Sequence, residues 1–103
     1  MPRAAEPLTH PVLADLDLPE VLHALADPVR LRIVRELEAH GAQPCGAIAL
    51  PVTKSTASHH FRVLREAGIV EQRDDGTRRL TTLRRADLDQ RFPGLLDVVL
   101  REA

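Results

Sequence analysis

Between Lys54 and Val70 the chain reads KSTASHHFRVLREAGIV, and its apolar and polar positions separate onto opposite sides of a helical wheel. Ala57, Phe61, Leu64 and the Gly68 position share one face, while Ser55, Ser58, His59, Arg62 and Glu66 lie on or near the other. Ser55 is an N-cap residue type and Gly68 suits the left-handed turn that closes a helix. One short helix is therefore predicted, leading into a strand at Ile69 and Val70. Upstream, Val21, Leu22 and Leu25 form an apolar stripe on a helix from about Pro19 to Ala26. Asp27-Pro28 then supplies an N-cap and a first helical residue for a second helix to about His40. Its inward residues are Val29, Ile33, Val34 and Leu37; Arg30, Arg32, Arg35, Glu36 and Glu38 are expected outward, and Gly41 ends it. Cys45 to Leu50 predicts no more than a small helix before Pro51.

Downstream, VEQRDDGTRRLTTL carries a hairpin signal, with Asp75-Gly76 suited to a tight turn that needs positive φ. Asp87 to Glu102 reads as a helix interrupted or started afresh at Phe92-Pro93, with Leu95, Leu96, Val99 and Leu100 at helical spacing. Residues 1–11 hold three prolines and no apolar period, so they are expected to form a mobile arm, leaving 12–103 as one domain. The predicted protein is mainly α with a small β-hairpin wing, in the order α-α-α-α-β-β-α. That is the order of a winged helix-turn-helix.

Composition bears on how such a domain is completed. In 103 residues, with two Phe and neither Trp nor Tyr, the core must be aliphatic and small. The last helix carries more large aliphatics than that core needs, so a homodimer is expected. A net charge of -1 argues against general affinity for nucleic acid, but its distribution does not. Eight bases and four acids fall between Lys54 and Arg85, against one base and five acids in residues 1–27. A dipolar chain with one basic face fits site-specific binding to double-stranded DNA.

The polar face of the central helix has the inventory for that task, since hydroxyl, imidazole and guanidinium groups read base edges and grip phosphates. The candidate DNA-binding residues are Lys54, Ser55, Thr56, Ser58, His59, His60 and Arg62, joined by Arg73, Arg78 and Arg79 around the hairpin tip. His60 falls on the flank of the core face, which suits a structural or phosphate-contacting role better than base reading. The bland alternative is a solvated helix face and an ordinary charged coat. A protein-binding use of the same fold is the competing class, and it would call for exposed Leu, Met or aromatic anchors where this helix has Ser, His and Arg. No phosphate-cradling glycine loop or nucleophile elbow points to an enzyme. The single cysteine excludes an intramolecular disulfide, and no signal peptide or long apolar run is present, so a cytoplasmic, membrane-free protein is expected.

Two segments, LADPVRLRIVRELEAHG at 25–41 and STASHHFRVLREAGIVEQRDDGTRRL at 55–80, resemble the ArsR/SmtB family of bacterial transcriptional repressors. The family's S-x-H-L-x-x-L-x-x-A-G-L-V pattern appears as Ser58-His59-His60-Phe61 through Leu64, Ala67, Gly68, Ile69 and Val70. The resemblance implies a homodimer paired through its first and last helices, with Val21, Leu22, Leu95, Leu96, Val99 and Leu100 at the interface. It further implies an inverted-repeat operator that is released when an inducer binds.

The chain departs from the family's sensing patterns. Cys45 has no C-x-C companion and the last helix has no histidine; one sulfur per subunit does not suit a thiolate-rich site for a soft ion. Five histidines and many carboxylates leave an imidazole-rich site for nickel, zinc or cobalt, with His10 on the arm reaching another subunit near His23 or Cys45. Oxidant sensing through paired Cys45 residues, a small organic effector, and a separate sensing protein are the alternatives.

Overall fold

The computed structural model describes residues 8–103. Two N-caps set the first two helices. Asp17 accepts from the Glu20 N–H at the head of α1 (Leu18–Leu25), and Asp27 accepts from the N–H groups of Val29 and Arg30 at the head of α2 (Pro28–His40). Pro19 and Pro28 occupy early positions whose missing N–H costs nothing. Gly41, at φ 75°, closes α2 as its position predicts. A 3-10 turn at Leu13–Asp15 precedes α1, and another at Cys45–Ala47 stands where the small helix was expected.

The central helix, α3 (Lys54–Glu66), starts two residues earlier than the hydroxyl pattern suggests. Thr53, not Ser55, is its N-cap, accepting the Thr56 N–H at 3.3 Å, so Ser55 lies inside the first turn with its side chain outward. At the other end the Ile69 N–H reaches the Leu64 carbonyl and the Gly68 N–H that of Arg65, the paired bonds that close a helix through a left-handed glycine. Gly68 has φ 84°, and a Cβ there would overlap Leu16 Cδ2 and stand 3.1 Å from Pro11 Cγ. No other residue fits that corner.

The hairpin forms from β2 (Val70–Asp75) and β3 (Arg78–Leu83), with Gly76 at φ 65° in the turn. A two-residue strand that the sequence did not signal, β1 (Gln43–Pro44), adds to the free edge of β3 and gives an antiparallel sheet of order β1-β3-β2. The last segment is two helices, α4 (Arg85–Arg91) and α5 (Leu95–Glu102), broken at Phe92-Pro93-Gly94 as expected. Arg85 ties them to α2 by pairing with Glu38, Asp89 and Asp97.

The core is aliphatic apart from Phe61. Leu16, Val21, Ile33, Val34, Leu64, Ile69, Val70, Leu88 and Leu96 are almost fully buried, each such side chain contributing about 1.5–3 kcal/mol. Val21 and Leu96, expected at a dimer interface, belong to this core and have no surface left for a partner. Leu95, Val99 and Leu100 are half-buried, and among the described residues the large apolar side chains that remain exposed are Val12, Leu18, Leu22 and Val98. The expected arm also changes. Residues 1–7 lie outside the described part, but His10 and Pro11 are docked: His10 Nε2 accepts the Gln72 N–H at 3.0 Å and the Pro11 carbonyl accepts from Arg84 at 2.7 Å.

Candidate nucleic-acid interface

Helix α3 buries Phe61 and Leu64 and turns Lys54, Ser55, Thr56, Ser58, His59 and Arg62 to solvent. The wing rises beside it, because the Gly68 turn sends the chain straight into β2. Between the two elements lies a recess of about 300 Å³ lined by Ser55, Ser58, His59, Arg62, Arg65 and Arg79. Its walls carry three guanidinium groups, two hydroxyls, an imidazole and no carboxylate, so the recess attracts anions and offers donors in several directions.

Four of the predicted residues on α3 and one from the wing are therefore brought together. Lys54 and Thr56 stand at the helix start, where the Thr53 hydroxyl donates to that of Thr56 at 3.0 Å. Arg73, Arg78 and Arg79 are exposed on the wing, but two are already paired. Asp74 holds Arg79 at 3.1 Å and Asp75 holds Arg78 at 3.3 Å, which leaves Arg73 as the wing arginine with no ion pair among the described residues. The tip is thus less positive than its arginine count suggests.

His60 is corrected from the DNA-binding set to the interior. Only 8% of it is exposed, and its Nδ1 accepts from Arg30 Nη1 at 3.1 Å. Arg30, expected outward, is buried to the same degree. It bends back over the end of α1, where Nε and Nη2 donate to the carbonyls of Ala24 and His23 at 2.6 and 3.3 Å. Asp27 lies beside them, its Oδ1 4.0 Å from His60 Nδ1. Burial by itself pushes the Asp27 carboxyl up, but the N–H bond from Arg30, the Arg30 charge and the Val29 N–H outweigh it and hold the carboxyl below its ordinary value.

Arg65 was missed by the sequence reading, although it continues the stripe of Ser58 and Arg62 at helical spacing. It lines the recess and donates to Gln72 Oε1 at 2.7 Å, so it joins α3 to the wing. Gln72 is 3% exposed and also donates to the Cys45 sulfur and the Thr81 hydroxyl. Gln72 thus touches both candidates at different points, His10 through its backbone N–H and Cys45 through its side-chain amide.

His23 lines a separate groove of about 440 Å³ with Pro19, Glu20, Val63, Glu66 and Ala67. Among the described residues no three His, Cys, Asp or Glu side chains converge as a metal would require. His10, His23 and Cys45 therefore do not converge within one chain, and the grouping expected of them is one between subunits.

A family model described as a helix-turn-helix domain matches residues 25–73. The chain is 35% identical over 83 residues to an HTH-type transcriptional regulator of Bacillus subtilis, YceK, covering 78% of this chain and 83% of that protein. It is 35% identical over 89 residues to the transcriptional repressor SmtB homolog of Synechocystis, covering 74% and 67%. A crystal structure of a possible transcriptional regulator for arsenical resistance superposes with TM-score 0.64 at 34% identity, covering 84% of this chain and 93% of that one. With helix order, wing and sequence in agreement, this chain belongs to the ArsR/SmtB family of winged helix-turn-helix transcriptional regulators.

Proposed function

We propose that the protein is a repressor that binds an inverted-repeat operator as a homodimer, with α3 in the major groove and the wing against the flanking backbone. The observation that carries this is the carboxylate-free recess shared by α3 and the wing. Arg62, with Ser58 and His59, is assigned to base edges; Lys54, Ser55, Arg73, Arg78 and Arg79 are assigned to phosphates. No exposed large apolar residue lies on α3 among the described residues, which favours DNA over a protein partner at this face.

The dimer is supported by the exposed Leu18 and Leu22 of α1 and Val98 of α5, together with the half-buried Leu95, Val99 and Leu100 of α5. Two copies joined there would present their α3 helices to half-sites about 34 Å apart. Nickel, zinc or cobalt as the effector would require ligands from both copies, and a separate sensing protein is the other route to induction. No helix among the described residues is long and apolar enough to cross a membrane, in keeping with a cytoplasmic regulator.

The test is a gel shift on the DNA upstream of the protein's own gene, repeated with nickel, zinc, cobalt and peroxide. A discrete shifted band that a scrambled duplex does not compete away supports the assignment. Equal competition by both duplexes contradicts it.

A further inference from the structure

One guanidinium joins three helices beneath the DNA-facing surface. Two of its nitrogens donate to last-turn carbonyls of α1: Nε to Ala24, and Nη2 to His23, whose oxygen also takes the Ala26 N–H. The third, Nη1, donates to His60 on α3. Arg30 is 8% exposed, so its charge is held by these acceptors and by Asp27 beside it.

What this bond adds to α3 is direction. The packing of Phe61 and Leu64 is non-directional and tolerates small rolls of the helix about its axis. A charged donor with fixed fork geometry does not. Side-chain ends lie about 5–6 Å from a helix axis, so a roll of about 20° moves them by about 2 Å. That exceeds the roughly 0.5 Å over which a hydrogen-bond length can vary. Ser58 and His59 precede His60, and Arg62 follows it by two positions, so the angle at which His60 is held sets where all three point.

We propose that Arg30 and His60 are positioning residues for sequence reading: their bond fixes the roll of α3 and thereby the aim of Ser58, His59 and Arg62 at base edges. This rests on the assignment of α3 as the DNA-facing helix. Phosphate contacts tolerate small rolls because long cationic side chains follow them, whereas base contacts do not. The bond therefore governs discrimination and leaves general affinity alone.

The probe is a duplex selected from a random pool by the wild-type protein at about 0.15 M salt, with a scrambled duplex as control. His60→Leu keeps the side chain's bulk and removes the acceptor, while His60→Asn returns an acceptor near the place of Nδ1. His60→Leu is expected to lower the ratio of selected to scrambled affinity about tenfold, the worth of one good base contact. Affinity for the scrambled duplex should stay unchanged, and His60→Asn should recover most of the ratio. Thermal melting is followed in parallel, because a merely structural histidine would lower Tm and leave the ratio intact. That outcome overturns the proposal, and so does an equal loss of ratio in both variants. Should His60→Leu fail to fold, Arg30→Lys replaces it, keeping the charge without the fork. Its ratio is expected to fall likewise, and an unchanged ratio overturns the proposal. A wild-type protein that selects no duplex overturns the DNA assignment itself, a result distinct from a ratio that survives these substitutions.

Discussion

Asp74 and Arg79 face each other across the wing strands, with Arg79 Nε 3.1 Å from Asp74 Oδ1, and the next pair toward the turn, Asp75 and Arg78, repeats the arrangement. Each pair is exposed, so it contributes about 0–1 kcal/mol to stability. Its larger consequence is to neutralise two of the wing's three arginines before DNA arrives. Asp74→Ala and Asp75→Ala should each strengthen binding to any duplex and steepen the dependence of log K on log salt by up to about 0.9. Anisotropy titrations at several salt concentrations check this; unchanged slopes would show that the wing arginines stay off the backbone.

Asp27 makes stability depend on acid in a defined direction. Its carboxyl titrates below 3.8 in the folded protein, since the α2 N–H donors and Arg30 outweigh the cost of burial. The stabilisation is complete above 3.8 and is lost as pH falls through the lower folded value. Asp27→Asn retains a good cap and should flatten the stability curve in that acid range. Asp27→Ala should cost about 1 kcal/mol at neutral pH. Denaturant melts across pH separate the two variants.

Gly68 couples the end of α3 to the start of the wing. Gly68→Ala would impose both a positive φ on a Cβ-bearing residue and an overlap with Leu16. A loss of about 2–4 kcal/mol is expected, combining backbone strain with overpacking. Gly46→Ala, where an added Cβ meets nothing within 4 Å, is the control and should be nearly neutral.

Leu22 and Val98 are about half exposed, so charging them should spare the subunit fold and disturb only what covers them. Leu22→Lys together with Val98→Lys is expected to give monomers by light scattering at micromolar concentration. Wild-type monomers under the same conditions would remove the dimer from the account.

Much of this architecture was legible in local chemistry. Asp27-Pro28, Gly41, Gly68 and Asp75-Gly76 each announce a helix start, a helix end or a turn through backbone geometry that few residues satisfy. The polar stripe of α3 was equally plain, because solvent exposure of Ser58, His59 and Arg62 follows from the helical period alone. What escaped was set by tertiary contact. Arg30 looked like a surface cation until the carbonyl end of α1 was placed above it, and His60, open to either a structural or a phosphate-contacting role, became structural once Arg30 claimed its Nδ1. β1 is too short for any periodicity, and it forms because β3 has a free edge. Val21 and Leu96 carry no mark to distinguish a side chain packed inside one subunit from one packed between two.

The most direct test of the central claim is amide chemical-shift mapping of the protein as a duplex selected by it is added. Perturbations are expected to concentrate at residues 54–62 and 73–79, with α5 little affected. Shifts confined to α1 and α5, or none in α3, would contradict the assignment of α3 and the wing as the surface that meets DNA.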